Sequence, residues 1–453
     1  MSNELKKKYG LLTAICMVVG IVVGSGVFFK AEAILNHTGG NLKLGILAWV
    51  IGGFIMIVCA YAFSVMATKY EKVNGVVDYA EAAVGERYGY IIGWFMTTIY
   101  YPTLTMALAW LSARYTLVVI FGAEADISGG LCFVLAGFYL IGSFALNTLS
   151  PIISGKFQVS TTFIKLVPLL LMGIVGTIYG VTKGHTVQNF TTVVSEISPS
   201  TAIFKAVCAT AFAYEGWIIA TSINAELKDS KKNLPRALVL GSFIIVAIYV
   251  LYYVGLAGAI TNEEMMASGQ AGAKQAFAAV FGNIMGTGIF VFVIISCLGT
   301  LNGLMLGCTR GLYSIASRSR GPSPKVFAHV DKHTNMPANS AVIGLLLCGA
   351  WLVFFYCSQL SDFTSKLGMF AFDPTELPIV TVYPFYIPIF LKMMASKDLK
   401  GFNRFVAPLL AIAGSIFMVI AAIQAHSAMI PGYLIIFAVI MLLGLPFMKK
   451  QKT

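Results

Sequence analysis

Apolar runs of about twenty residues recur from one end of this 453-residue chain to the other, with only short polar segments between them. A helix of about twenty apolar residues covers the hydrocarbon core of a bilayer. Lipid offers the backbone no partner, so each run has to pair its own N–H and C=O groups as a helix. That leaves one fold class, an all-α integral membrane protein. Twelve spans are read, at residues 11–35, 42–69, 90–121, 130–149, 157–181, 201–227, 236–260, 282–317, 337–356, 372–394, 405–425 and 429–448, with short helices outside them at 79–84 and 273–281 and a kink at Pro151. No polar stretch is long enough for a second domain, so residues 1–453 read as a single transmembrane domain. With 58% hydrophobic and 11% charged residues, a soluble globular protein is excluded.

The formal charge of +12 does not point to nucleic acid, because the basic residues are spread over short loops rather than one face. They favour alternate loops. Lys6, Lys7 and Lys8 precede span 1, Lys228, Lys231, Lys232 and Arg236 lie between spans 6 and 7, Arg318, Arg320, Lys325 and Lys332 between 8 and 9, and Lys449, Lys450 and Lys452 at the end. Lys43, Lys183, Lys274 and Lys366 stand singly in the other loops. Basic loops stay on the cytoplasmic side, so both termini are expected there, in a multi-pass protein of the plasma or inner membrane. Of eight cysteines, seven lie inside apolar runs and Cys357 at the end of one, with no CxxC or Cys/His cluster, so no metal site, cofactor or disulfide framework is expected. The five histidines are scattered at loops and span ends, which gives no acid–base cluster for an enzyme.

Gly24-Ser25-Gly26 interrupts the first span near its middle. Two glycines two residues apart are poor helix formers. Close packing is one reading of them. A helix stopped at mid-depth is the other, and its free N–H groups and positive dipole end would bind a carboxylate. Span 6 repeats the oddity at Phe212-Ala213-Tyr214-Glu215-Gly216-Trp217, where a carboxyl group sits near mid-span at a cost of about 2.5–3.5 kcal/mol on insertion scales. Spans 1 and 6 occupy matching places if residues 9–181 and 201–395 are two five-helix repeats of inverted orientation, followed by two further helices at 405–448. Paired interruptions of this kind mark a transporter's midplane site and favour the stopped-helix reading. N–H groups of Ser25, Gly26 and Val27 would hold a carboxylate. Carbonyls of Ile21, Val22, Phe212 and Ala213 would accept from an ammonium group. A zwitterion with both charges on one carbon, an α-amino acid, fits. Its side chain would meet Tyr214, Glu215 and Trp217. A channel is the rival class, but polar residues gathered at two breaks suit an occluded site better than a continuous pore.

At these residues the chain resembles the amino acid–polyamine–organocation (APC) superfamily, and within it the L-amino-acid transporter branch with its bacterial serine/threonine and alanine/serine/cysteine exchangers. The resemblance is carried by Gly24-Ser25-Gly26-Val27-Phe28, by Phe212–Trp217, by Cys297-Leu298-Gly299-Thr300-Leu301-Asn302-Gly303 continuing to Tyr313, and by Asn224-Ala225-Glu226-Leu227-Lys228 with Asn233-Leu234-Pro235-Arg236. It implies the LeuT-like arrangement of two inverted five-helix repeats plus two helices, helices 1 and 6 unwound at mid-membrane, and alternating access. It places Lys165, deep in the apolar run of span 5, where sodium-coupled relatives bind a sodium ion, which implies sodium-independent transport. Exchange of small or polar neutral L-amino acids is the function implied. Proton-coupled symport through Lys165 and transport of cationic amino acids through Glu215 stay open as alternatives. By the same resemblance Phe212 lids the substrate. Glu226 lies where spans 1 and 6 would meet the cytoplasm and reads as a gate contact there, and Arg310, toward the cytoplasmic part of span 8, reads as structural. The loop 122–129 lacks the cysteine through which animal members join a heavy subunit, so no disulfide-linked partner is expected. Span 10 departs from the pattern: Asp373, Glu376 and four prolines predict a kinked or shortened helix with its acids toward the entrance.

Overall fold

A computed structural model describes residues 7, 9–70, 74–122 and 129–450. Among them ten helices are long and apolar enough to cross a bilayer, and they correspond to the expected spans 2–9, 11 and 12. The other two spans are shorter. Span 1 is split into Leu11–Val22 and Gly26–His37. Span 10 is Ile379–Ala395, because Pro374 and Pro378 lie in the turns before it, while Pro384 and Pro388 lie inside it. Span 6 runs as α-helix over Pro199–Tyr214, stops at Glu215 and Gly216, and continues as a 3₁₀ helix over Trp217–Glu226.

Boundaries moved where a sequence signal had a second meaning. Span 5 begins at Pro151 rather than at residue 157. Proline with its missing N–H suits the first turn, so the expected kink is a helix start, preceded by Ser150. The basic segment 230–235, read as loop, is the opening of span 7 at Ser230–Ala259. The short helices appear at Gly75–Val84 and Gly272–Phe281. A third, Asn262–Ser268, begins with a reciprocal capping box between Thr261 and Glu264, a T-x-x-E signal that was present in the sequence and unread.

Span 8, Asn283–Ala316, is the central post. It packs along span 3 (Glu86–Phe121), span 9 (Ala338–Leu360), span 5 and the first half of span 1. Its most apolar stretch is 67% buried, against 17% for span 12, Ile430–Phe447, which turns its apolar side chains outward as a lipid-facing helix must. Span 2, Leu42–Ala67, lies against span 7, and span 10 along span 11, Phe402–His426. Spans 5 and 7 meet backbone to backbone: a Cβ on Gly258 would stand 2.2 Å from the carbonyl oxygen of Gly176.

Candidate functional site

The two interruptions touch each other. A Cβ on Gly26 would lie 2.9 Å from Cα of Ala213, and one on Gly216 2.9 Å from Ile21 Cγ2. Gly216 has a φ of +97°, a left-handed conformation that glycine adopts without strain. The hydroxyl of Tyr249, on span 7, ties the breaks together by donating to Val22 O at 3.1 Å and Ala213 O at 3.0 Å. Two of the four carbonyls expected to take the substrate's ammonium group thus share the Tyr249 hydroxyl, and Val22 O also accepts from the Gly24 N–H at 2.8 Å, so Ala213 O keeps more of its accepting capacity than Val22 O does.

Beside the contact lies a small cavity of about 20 Å³. Ile21, Val22, Gly24, Ser25 and Gly26 line it from span 1, and Phe212, Glu215 and Gly216 from span 6. Leu104 and Leu108 of span 3 and Thr300 and Leu304 of span 8 complete it. The i, i+4 spacing of each of these pairs puts its members on one helix face, but nothing in either run marks that face as the one toward the site. The second half of span 1 begins at Gly26 with Ser25 as its cap, so the first-turn N–H groups of Ser25, Gly26 and Val27 lack preceding helical carbonyls. The Ser25 main chain and side chain also contact the Cys297 thiol.

Lys165 is fully buried at this level. Its Nζ donates to Gly20 O at 2.8 Å, Val23 O at 2.7 Å, Ser296 O at 3.0 Å and Thr300 Oγ1 at 3.1 Å. Ser296 Oγ donates to Val23 O and Gly24 O, at 3.1 and 3.2 Å. The last carbonyls of the first half-helix, the negative end of its dipole, are thus satisfied by an ammonium group and span 8 hydroxyls. Ser296 carried no sequence signal. Thr300 sat inside the Cys297–Gly303 motif without a role.

Glu215 ends the first half of span 6 and is buried. Its carboxyl accepts a short hydrogen bond from the Tyr100 hydroxyl of span 3, and bonds from the Tyr383 hydroxyl of span 10 and the Gly216 N–H. The remaining candidates point elsewhere. Tyr214 donates to Trp49 O at 2.9 Å and packs its ring on Trp49 and Tyr249. Trp217 packs on Phe63 and Tyr386. Ala213 and Val27 are buried at the helix contact rather than lining the cavity.

Side-chain and main-chain ties lie along the interrupted spans on both sides of the cavity. Toward the N-terminus, Tyr9 N donates to Glu226 O at 3.0 Å, and Lys228 N to Tyr9 O at 2.9 Å. There Glu226 and Arg310 of span 8 form an ion pair that is wholly buried. Arg310 therefore holds the residue assigned to the gate. On the other side Lys30 Nζ bonds Glu376 Oε1 at 3.0 Å and lies over the Phe212 ring, 5.7 Å from its centroid. Asp373 instead accepts from the Thr375 N–H at 2.8 Å. Of the heavy-subunit loop, residues 123–128 lie outside the described residues.

These features define a class: a multi-pass, all-helical membrane protein with a small cavity where two interrupted helices meet. The solved structure of MhsT in complex with L-phenylalanine has the same fold, with a TM-score of 0.60 at 15% identity over 93% of this chain and 99% of that one. Residues 9–445 match the amino acid permease family. The serine/threonine exchanger SteT of Bacillus subtilis (strain 168) is 31% identical over 100% of this chain and 99% of its own length. The human cystine/glutamate transporter is 28% identical over 74% of this chain and 66% of its own. The chain belongs to the amino acid permease family of the APC superfamily, and it is a transporter of amino acids, not an enzyme.

Proposed function

We propose that the protein is a sodium-independent exchanger of small or polar neutral L-amino acids, working by alternating access across the cell membrane. The observation that carries this is the Lys165 ammonium group, held by four neutral oxygens from spans 1 and 8. A fixed cation already occupies the carbonyl end of the broken helix, so no sodium ion is needed to hold spans 1 and 8 together there. The substrate's carboxylate is assigned to the N–H groups of Ser25, Gly26 and Val27. Its ammonium group is assigned to the carbonyl lone pairs around Ile21, Val22, Phe212 and Ala213. Phe212 lids it and Glu215 faces its side chain. Glu215 is engaged by two phenols and by the Gly216 N–H, which favours a neutral hydroxylated or small side chain over a cationic one. The serine/threonine specificity in the name of the 31% identical relative supports the same choice.

In this reading twelve helices cross the bilayer, residues 9–181 and 201–395 are inverted repeats, and helices at 405–448 follow. Both termini face the cytoplasm, so the Tyr9–Glu226–Arg310 tie is the cytoplasmic gate. The exchanger works without a disulfide-linked heavy subunit, since residues 122–129 contain no cysteine. Uptake of labelled serine into proteoliposomes is the test. It is expected only when amino acid is present inside, and to be unchanged when sodium is replaced by choline. Accumulation into empty vesicles down a proton gradient would instead support a proton-coupled symporter.

A further inference from the structure

His426 is the last residue of span 11, outside both proposed repeats. Its Nε2 lies 3.1 Å from Oε2 of Glu376, whose other oxygen, Oε1, accepts from Lys30. One carboxylate thus joins two nitrogen groups carried by different parts of the molecule. Lys30 rides on the second half of span 1, just past the break, and covers Phe212 at the wall of the cavity. Glu376 lies in the turns just before span 10, and His426 ends the neighbouring span 11. Each of the three side chains is about a quarter exposed, so protons reach the cluster from water.

We propose that His426 is a positioning residue of the outer gate: a proton on its imidazole eases the departure of Lys30 from Glu376 and so favours opening of the cavity on that side. The inference rests on the transport cycle proposed above. Its sign follows from counting charges. With a neutral imidazole, parting Lys30 from Glu376 leaves a half-buried carboxylate without a cation. With an imidazolium the carboxylate keeps one, and the repulsion between the two cations is relieved. The other groups facing the cluster are Glu32 and His37 on span 1, Lys205 and Cys208 on span 6, and Asp373 before span 10.

The test is exchange of labelled for unlabelled serine in proteoliposomes, with pH equal on both faces so that no proton gradient acts. The wild-type rate at about pH 7 is expected to exceed that of His426→Gln, which lacks the cation, about two- to fivefold, the ratio typical of a partly exposed charge pair. His426→Arg, a fixed cation, should keep the wild-type rate. His37→Gln and Asp373→Asn should keep it too. A His426→Gln rate equal to wild type, or a His426→Arg rate as low as that of His426→Gln, overturns the inference and leaves exchange standing. If His426→Gln does not fold, His426→Arg decides, and a rate more than about twofold below wild type in it counts against the gate. Absence of exchange in the wild type refutes the transport reading instead.

Discussion

Gly24 and Gly26 stand two residues apart and do different work. A Cβ on Gly24 would make only ordinary contacts, 3.5 Å from Leu108 Cδ1 and from Thr300 Oγ1, whereas one on Gly26 would strike the backbone of span 6. Gly24→Ala should therefore keep substrate affinity within about threefold, while Gly26→Ala should weaken it on the order of tenfold or more, as forced overpacking would. Equilibrium binding of labelled serine to the purified variants reads the difference, and equal affinities would remove the close approach from the account. The sequence showed both glycines and not this asymmetry, which depends on where Ala213 arrives. Lys165 was legible as a buried lysine, but its ligands were not, since three of the four are main-chain oxygens and the fourth is a span 8 hydroxyl, all brought close by folding. Replacing it with alanine orphans those acceptors. Transport should fall by about tenfold or more, and unchanged kinetics would take Lys165 out of the mechanism. Tyr249 and Ser296 had no signal at all, because one tyrosine or serine in an apolar run reads like any other.

Helices were more legible than their joints. Hydrophobic length fixed the ten long spans, and proline spacing gave the shortened tenth, since both signals are local. What covers what is not local. Arg310 is read from sequence as a structural residue near a helix end, and only the packing of span 8 on span 6 makes it the partner of Glu226. Removing one member of a buried ion pair strands the other, so Arg310→Leu or Glu226→Leu alone should cost about 3–5 kcal/mol. The double leucine variant should recover most of that loss in thermal unfolding in detergent. A double variant as unstable as the sum of the singles would contradict this pairing. Spans 5 and 7 offer a second check. Gly258→Leu, driven into the Gly176 carbonyl, should cost about 1–3 kcal/mol or more and lower the yield of folded protein, with Gly137→Leu, which meets nothing within 4 Å, as the neutral comparison.

For the molecule as a whole, the two ties are the informative feature. Tyr9, Glu226 and Arg310 close one route to the cavity, while Lys30, Glu376 and His426 draw spans 1, 10 and 11 together on the other. A cavity with a tie on either side suits a cycle in which one tie releases at a time. Glu226 was assigned a gate from its place in a motif. Glu376 was placed near the entrance from its prolines and charge, while Lys30 carried no signal and His426 was one of five scattered histidines. Interrupted helices in matching places thus revealed the site, and pairing across the fold revealed its closures. If a loaded cavity is what allows the ties to exchange, substrate has to cross in both directions together. The most direct measurement follows labelled serine entering and a second label on preloaded serine leaving, in sodium-free proteoliposomes. The account predicts one molecule out for each molecule in, with neither flux when the opposite face lacks substrate. Sustained influx without efflux, or a requirement for sodium, would contradict it.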